Sequence, residues 1–195
     1  MNGQFPETKH ISYPKITRWN TKWIITEKID GTNAQLLISK ATTHEGATDY
    51  AIAEHDGKYL FAGSRNKWLK PVDDNFGFAS WALAHAQELI AGLGEGQHYG
   101  EWWGQGIQRR YGLNEKRFSL FNTHRWTDET KPACCHVVPV LGECEGADLA
   151  GGIQNQMARL EIHGSVAASG FKSPEGIVVF NTVNQVQFKI TDAKK

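Results

Sequence analysis

The 195-residue sequence lacks any apolar run approaching the roughly 20 residues that cross a bilayer. Its polar N-terminus, Met1 to Pro6, also lacks the basic and then apolar pattern of a secretory signal peptide. These absences argue against a membrane-spanning or secreted protein, and we expect a cytoplasmic one. The length suffices for one sizeable domain with a core and is too short for two full domains.

The sequence has no excess of either charge, because 21 lysines and arginines balance 21 aspartates and glutamates. This balance counts mildly against a nucleic-acid partner, since phosphate binding usually leaves a basic excess. It does not exclude one, because a basic patch can lie on a neutral protein. Candidate patches are Arg109-Arg110 with Lys116-Arg117, and the set Arg65, Lys67 and Lys70. From charge alone, a solvated surface is the favoured interpretation of both patches.

Cysteine is scarce, and the three thiols of Cys134, Cys135 and Cys144 do not make the even set of a disulfide framework. With His136 they could be imagined as a zinc site, but the paired C-x-x-C spacing of structural zinc sites is missing. Because free cysteine usually packs as a small hydrophobe, small buried residues leading into a strand are the favoured interpretation.

Strand patterns outnumber helix patterns and do not alternate with them regularly, which predicts an α+β domain with mainly antiparallel sheets. A hairpin is predicted across Asp56-Gly57. The predicted strands are 22–28, 34–40, 50–55, 58–62, 97–103, 117–123, 136–141, 176–181 and 186–190. One helix is predicted over 76–89, with N-caps at 73–75 and an end at the glycines 92, 94 and 96, and a second over 149–162.

Lys28 stands at the end of an apolar strand, directly before the turn Ile29-Asp30-Gly31-Thr32-Asn33. A lysine near apolar surface and other cations gives up its proton more readily, and the neutral amine is a nucleophile. Gly31 would let the backbone approach a bound nucleotide closely. Lys-x-Asp-Gly is nevertheless frequent by chance, and on this motif alone an exposed hairpin turn with a surface lysine is favoured.

Further motifs follow in order, and their combination is far more specific than any single one. They are Ser64-Arg65-Asn66-Lys67, Tyr99-Gly100-Glu101-Trp102-Trp103-Gly104, Phe118-Ser119-Leu120-Phe121-Asn122, Pro174-Glu175-Gly176-Ile177-Val178-Val179 and Val186-Gln187-Phe188-Lys189. With the Lys28 motif and Tyr13-Pro14-Lys15-Ile16 before it, they resemble the lysine nucleotidyltransferase superfamily of ATP-dependent ligases and messenger-RNA capping enzymes. The resemblance is strongest to small ATP-dependent RNA ligases, including viral nick-sealing types, and covers residues 13–189.

The resemblance implies an α+β nucleotidyltransferase domain, an ATP-grasp-like ligase adenylation domain with mainly antiparallel sheets and flanking helices. It implies that Lys28 forms a phosphoramidate with AMP and that the backbone of Glu27 faces the adenine. Asp30 and Gly31 complete this motif, and with Asn33 they are expected to lie at the nucleotide.

The later motifs are implied to bind the rest of ATP and the substrate. Arg65 would contact the nucleotide and the substrate 5′-phosphate, and Glu101 would hold the ribose hydroxyls. Phe121 would stack on the adenine. Glu175 would help to bind a catalytic Mg²⁺ or Mn²⁺, and Lys189 would contact the α-phosphate, which suits a reaction that depends on positioning and charge neutralisation. Singly, each has a plainer interpretation as an edge acid, a core aromatic or a surface cation.

Two features depart from the family pattern. Many members carry Lys-x-Lys in the last motif, whereas the first of these positions is Gln187 here, so one phosphate-contacting cation is missing or is supplied by Lys172 or Lys15. The chain also ends soon after Lys189, where many ligases continue into a further domain. We therefore expect residues 1–195 to form a single minimal adenylyltransferase domain without a C-terminal accessory domain.

The favoured function is an ATP-dependent RNA ligase, with Lys28, Arg65 and Lys189 as catalytic residues. It would form lysyl-AMP, adenylylate a 5′-phosphate end and join that end to a 3′-hydroxyl. An ATP-dependent DNA ligase and a non-catalytic module that binds nucleotides or RNA ends remain alternatives. The expected cofactors are ATP and Mg²⁺ or Mn²⁺, the expected partner is RNA, and a monomer without membrane attachment is the default.

Overall fold

Eleven β-strands, three α-helices and a short 3-10 helix are found in the part that the computed structural model describes, residues 22–40 and 49–191. The strands are β1 Lys22–Lys28, β2 Thr32–Lys40, β3 Ala53–His55, β4 Lys58–Ser64, β5 Trp68–Leu69, β6 Gly96–Gly104, β7 Lys116–Leu120, β8 His136–Val137, β9 Val140–Glu145, β10 Gly176–Asn181 and β11 Gln187–Thr191. The α-helices are α1 Phe78–Ala84, α2 Ala86–Leu93 and α3 Leu149–His163, and the 3-10 helix is Gly146–Asp148.

A four-stranded antiparallel sheet has the order β11-β10-β1-β9. On β1, Trp23 and Ile25 point to one face and are buried with Ile177 and Val179 of β10. Leu160 of α3 belongs to the same cluster, so α3 covers this face. Since side chains alternate along a strand, Ile24, Thr26 and Lys28 lie on the opposite face.

The second sheet has seven strands, in the order β3-β4-β2-β6-β7-β8 with β5 paired to β4. Its pairs are antiparallel except β7 with β8, which is parallel. Leu36 of β2, Trp102 of β6 and Phe118 of β7 share its largest cluster with Phe78 of α1 and Leu89 of α2. The predicted α+β class with mainly antiparallel sheets is therefore confirmed, and helices cover one face of each sheet.

Strands β1 and β2 are consecutive in sequence but belong to different sheets. Ile29 in the turn between them is 4% exposed and packs with Trp103 and Tyr111 in a third cluster. The turn after Lys28 therefore joins the two sheets through buried structure, and the interpretation of an exposed hairpin is wrong.

The prediction of a single helix over 76–89 is wrong. Two helices occupy this part of the chain, and α2 continues past Gly92 to Leu93. The break lies at His85, whose φ of −106° and ψ of 16° leave the helical region. The buried residues Phe78, Ala82 and Leu89 keep helical spacing across the break, so the apolar pattern could not reveal it. The N-cap of α1 is Gly77, so the N-caps predicted at 73–75 are also corrected. Asp74 lies three residues before it, and its carboxylate accepts from the Ala79 N–H at 2.8 Å and the Ser80 N–H at 2.9 Å.

The strand predicted over 136–141 is also corrected. It is two strands in different sheets, with β8 beside β7 and β9 beside β1. Pro139 lies between them and has no N–H to donate to a ladder, which explains the interruption.

The helix predicted over 149–162 is confirmed, and α3 extends one residue further, to His163. Strands β1 and β10 have the predicted bounds. In the described ranges, no helix has the length and apolar character needed to cross a membrane.

Candidate active site

Lys28 is the last residue of β1, on the sheet face that α3 does not cover. Its register partner is Gly176, the first residue of β10, and Glu175 comes directly before that strand. This register brings the Glu175 carboxylate against the Lys28 Nζ in an ion pair, with side chains only 21% and 15% exposed for Lys28 and Glu175. Two residues predicted from separate motifs therefore meet.

Glu101 lies on β6 of the seven-stranded sheet, and its side chain is close to Lys28 and Glu175. Its Oε1 accepts a hydrogen bond from the Gly31 N–H at 3.0 Å. Burial raises the pKa of the Glu101 carboxyl to about 7, Lys28 opposes the rise, and Glu175 and Asp30 add to it. These mutual effects show that Lys28, Asp30, Glu101 and Glu175 form one electrostatic cluster.

Gly31 lies where no side chain fits. A Cβ there would stand 2.5 Å from the Trp102 carbonyl oxygen and 2.7 Å from the Trp103 Cβ. The glycine is required because the turn passes directly over β6, and this close approach lets its N–H reach Glu101.

Arg109 and Tyr111 also belong to this site, although the sequence assigned no role to Tyr111 and placed Arg109 only in a basic patch. Arg109 Nε donates to Asp30 Oδ2 at 2.9 Å, and its Nη1 donates to the Ser173 carbonyl at 2.8 Å. The Tyr111 hydroxyl accepts from the Asp30 N–H at 2.8 Å. Arg109 thus joins the turn after Lys28 to the segment before Glu175.

The loop that carries Arg109 has an unusual backbone. Gln108, Arg110 and Tyr111 all have φ between 43° and 59°, a region that non-glycine residues seldom occupy. Tyr111 is buried between Trp103 and Phe171, with ring centroids 4.9 and 4.5 Å away. Packing therefore holds the strained loop in place, a pattern typical of functional sites.

Two exposed aromatic side chains lie near the end of β7. Phe121 is 40% exposed, its N–H donates to the Tyr99 carbonyl at 3.0 Å, and Tyr99 is 54% exposed. Tyr99 is two residues from Glu101 on β6 and so shares its face. Exposed aromatic rings on a sheet face offer a platform on which a planar base can stack.

A family model described as RNA ligase matches residues 21–193. The chain belongs to the RNA ligase family. No protein in the curated set matches it.

Solved structures of Naegleria gruberi RNA ligase share the fold. One with PPi is 21% identical with a TM-score of 0.57, over 88% of this chain and 50% of that chain. A variant with ATP and Mn is 19% identical with a TM-score of 0.57, over the same shares. A variant with AMP and Mn is 19% identical with a TM-score of 0.58, over 89% of this chain and 50% of that one. The chain thus spans about half the length of these structures, and the predicted nucleotidyltransferase fold is confirmed.

In this member of the RNA ligase family, the side chain of Glu27 points away from Lys28. Its carboxylate accepts from Ser165 Oγ at 2.5 Å and from the N–H groups of Val166 and Ala167 at 2.8 and 2.9 Å. The role implied for Glu27 concerns only its backbone and stays a prediction. The side chain instead anchors the loop after α3.

Lys189 shares the sheet face of Lys28. It pairs with Val178, which pairs with Thr26 two residues before Lys28, and residues paired across strands point to the same side. Gln187 lies two residues from Lys189 and so also on this face. Lys172, considered as a replacement cation, donates its Nζ to the His163 carbonyl at 3.0 Å, and Lys15 lies outside the described residues.

Arg65 and Asn33 are exposed. Arg65 is exposed at the tip of the tight turn between β4 and β5, which the Ser64 N–H closes by bonding the Lys67 carbonyl at 2.9 Å. Asn33 is exposed on β2 and pairs with Glu101 on β6. Their roles at a nucleotide stay predictions, as does the role of the 13–16 motif, which lies outside the described residues.

The imagined zinc set of Cys134, Cys135, His136 and Cys144 is not assembled. Cys135 is buried in the cluster of the seven-stranded sheet, whereas Cys144 packs against the cluster of the four-stranded sheet. The interpretation as small packing residues holds best for Cys135, because Cys134 and Cys144 are only half-buried.

Proposed function

We propose that this chain is an ATP-dependent RNA ligase in which Lys28 is the nucleophile that takes up AMP. The observation that carries the proposal is the meeting of Lys28 with Glu175, Asp30 and Glu101 where the two sheets join. Membership of the RNA ligase family and the ATP- and Mn-containing Naegleria structures support it.

The proposed reaction begins with attack of the neutral Lys28 amine on the α-phosphorus of ATP. A phosphorus–nitrogen bond forms, the bond to pyrophosphate breaks, and the amine loses its proton. An oxygen of a 5′-phosphate then displaces Lys28 and takes AMP. Finally, a 3′-hydroxyl displaces AMP and a phosphodiester forms.

The chain offers groups for each part of ATP. The exposed ring of Phe121 would stack on the adenine, and the Glu101 carboxylate would accept from the ribose hydroxyls. Lys189, on the Lys28 face, and Arg65, on its turn, would neutralise phosphate charge. Such positioning and charge neutralisation account for most of the catalysis of phosphoryl transfer.

The donor set fits a divalent cation. Glu175 and Glu101 present carboxylate oxygens within one cluster, and the charge of Glu175 helps to raise the pKa of Glu101. Oxygen ligands of this kind suit Mg²⁺ or Mn²⁺. Glu175 would hold the ion, which supplies positive charge to the phosphates when bound.

We further propose one adenylyltransferase domain, acting as a cytoplasmic monomer on RNA with 5′-phosphate and 3′-hydroxyl ends. Nick-sealing assays on duplexes that carry ribose or deoxyribose at the 3′-hydroxyl end separate RNA from DNA ligase activity. Preferred sealing of the deoxyribose end would favour the DNA ligase alternative.

The deciding experiment is intact-mass spectrometry of the full chain after incubation with ATP and Mg²⁺. The wild type should gain one adenylyl group, and Lys28→Ala should gain none. Lys22→Ala, at the exposed start of the same strand, is the matched control and should react like the wild type. An unmodified wild type, or an adduct that persists in Lys28→Ala, would overturn the proposal.

Gln187 supports a second candidate, a module that binds nucleotides without reacting. It leaves the face around Lys189 with one cation fewer than the Lys-x-Lys pattern of the last motif provides. Tight ATP binding by a wild type that forms no adduct would favour this candidate over the ligase.

A further inference from the structure

Three side chains of different chemistry converge on the helical side of the seven-stranded sheet. His85 lies at the break between α1 and α2, Glu88 lies in the first turn of α2, and Cys134 lies on the segment before β8. One ligand atom from each lies within 4.8 Å of the other two, and His85 Nδ1 is 3.7 Å from Glu88 Oε2. They form a compact set of one nitrogen, one oxygen and one sulfur.

The local structure holds this set together. The Cys134 N–H donates to Glu88 Oε1 at 2.7 Å, which leaves Oε2 turned toward His85. One helical turn further along α2, Gly92 is covered by Pro132, whose Cγ would be 2.8 Å from a Cβ at that glycine. The segment carrying Cys134 is therefore fixed against α2 at two successive turns.

His85 is the N-cap of α2 and lies three residues before Glu88. Residues three apart at a helix start face the same side, so the ring of His85 and the carboxylate of Glu88 point together. The His85 ring also packs against Trp81, with centroids 5.3 Å apart. A depression lined by Ala84, His85, Gln87, Glu88 and Ala91 leaves the set open to solvent.

The ligand chemistry selects a cation. Thiolate sulfur, imidazole nitrogen and carboxylate oxygen are all ligands of Zn²⁺, at about 2.0–2.3 Å, whereas Mg²⁺ and Ca²⁺ prefer oxygen alone. Tetrahedral coordination at those lengths separates ligand atoms by roughly 3.3–3.8 Å. The His85–Glu88 separation already fits, and these two side chains are 39% and 40% exposed, so they have room to adjust.

We propose that His85, Glu88 and Cys134 bind one Zn²⁺, with water as the fourth ligand. A thiolate and a carboxylate neutralise the two charges of the ion. This site shares only Cys134 with the set that the sequence suggested. It lies on the helix-covered side of its sheet, opposite the face of Glu101, and so differs from the divalent site proposed for catalysis.

Zinc at this position would link α2 to the segment that leads into β8. Both of these elements reach the largest core cluster: α2 contributes Leu89 and Leu93, and the segment before β8 contributes Cys135. An ion that binds only the folded chain stabilises it. We therefore expect Zn²⁺ to raise the thermal midpoint of the protein without being needed for adenylylation.

Cobalt absorption on the reduced full chain tests the site. Co²⁺ bound to a thiolate gives a charge-transfer band, here called the thiolate band, and tetrahedral Co²⁺ gives visible bands. Millimolar Mg²⁺ is added to occupy sites that offer only oxygen ligands. One equivalent of Co²⁺ should produce both bands, and Zn²⁺ should remove them. Cys134→Ser should lose the thiolate band, and His85→Asn should weaken Co²⁺ binding at least about tenfold.

Two further variants distinguish loss of a metal ligand from loss of folding. Glu88→Gln keeps an oxygen for the Cys134 N–H but removes the anionic ligand, so it should fold and bind Co²⁺ at least about tenfold more weakly. Cys144→Ser removes a half-buried thiol in the other sheet and should leave both bands unchanged. Absence of stoichiometric binding, or a thiolate band that survives Cys134→Ser, would overturn the proposal.

Discussion

The Glu175 carboxylate forms an ion pair with the Lys28 amine, although 147 residues separate them in the sequence. The pairing of β1 with β10 places them side by side, so the contact is built into the sheet. Glu175 therefore holds Lys28 in place, and under the proposed function its carboxylate would also bind the divalent ion.

Glu175→Gln should slow transfer of AMP to Lys28 by about 100-fold and raise the Mg²⁺ concentration needed, because it removes an anionic oxygen beside the reacting amine. Single-turnover incorporation of labelled AMP at several Mg²⁺ concentrations measures both effects. Glu143→Gln is the matched control, since it breaks the exposed Lys22–Glu143 pair at the other end of β1. Equal rates for the two variants would contradict a role for Glu175.

Glu101 should make the stability of the protein depend on pH. Burial raises its pKa from 4.5 to about 7, so between these values the folded chain holds a proton that the unfolded chain has lost. Its contribution to stability is full below pH 4.5 and is lost as the pH rises through 7. Glu101→Gln should therefore be more stable than the wild type at pH 8, on the order of 1–3 kcal/mol, and about equal at pH 5. Urea unfolding at both pH values measures the difference.

The same carboxyl should give nucleotide binding a pH dependence. The ionised Glu101 accepts from two ribose hydroxyls more strongly than the protonated acid does, so ATP affinity should rise between pH 6 and pH 8. Glu101→Gln should bind ATP more weakly at pH 8 and lose this dependence. Calorimetric titration of ATP into both proteins measures it, and an equal pH dependence in the variant would assign the titration to another group.

Arg109 is expected to act by positioning the residues around it. Arg109→Gln removes its bonds to Asp30 and to the Ser173 carbonyl, so the turn after Lys28 and the segment before Glu175 lose their link. AMP transfer to Lys28 should slow by about 10- to 100-fold, with a smaller effect on ATP binding, because misplacement costs catalysis more than affinity. Arg110→Gln, at the exposed neighbour in the same loop, should react like the wild type. Equal slowing of both variants would indicate a general effect on the loop.

The sequence predicted much of the fold and the core of the site for a physical reason. The residues of the Lys28, Glu101 and Glu175 motifs lie at strand ends or in strands, where the backbone register fixes their neighbours. Short ordered motifs can therefore stand for a three-dimensional arrangement. The resemblance carried by these motifs predicts roles for Lys28, Glu101 and Glu175, and the structure brings the three side chains together.

What the sequence missed depends on loops and on breaks in regular structure. Arg109 reaches Asp30 from a loop of positive-φ residues, and no periodic pattern encodes such a path. The break at His85 leaves the apolar spacing intact, so neither the two helices nor the convergence of His85 with Cys134 was predictable. Glu27 was assigned through its backbone, and only the structure shows its buried carboxylate.

Phe121 should contribute to nucleotide affinity with little effect on folding. Its ring is 40% exposed and lies outside the three core clusters, so Phe121→Ala should cost less stability than truncation of a core aromatic, whereas loss of base stacking costs about 1–3 kcal/mol of binding free energy. ATP affinity should fall by about 5- to 150-fold in a calorimetric titration, since 1.4 kcal/mol is about tenfold. Val183→Ala, which also shortens an exposed apolar side chain, should bind ATP normally. Unchanged affinity in Phe121→Ala would move the adenine site elsewhere.

Glu27 should stabilise the domain through the loop that follows α3. Its buried carboxylate accepts from Ser165 Oγ, from the Val166 N–H and from the Ala167 N–H, and the same loop carries Ala168, which packs in the cluster of Tyr111. Glu27→Ala leaves the buried Ser165 hydroxyl and two half-buried N–H groups without this acceptor, and it should lower the free energy of unfolding by about 2–4 kcal/mol.

Ser165→Ala removes one of these bonds and also the acceptor of the Ala168 N–H, and should cost about 1–2 kcal/mol, so the two variants form a graded pair in urea unfolding. Because the loop packs against Tyr111, which accepts from the Asp30 N–H, Glu27→Ala should also slow AMP transfer at temperatures where it remains folded. A variant that is destabilised yet transfers AMP at the wild-type rate would show that the loop supports the fold without ordering the turn after Lys28.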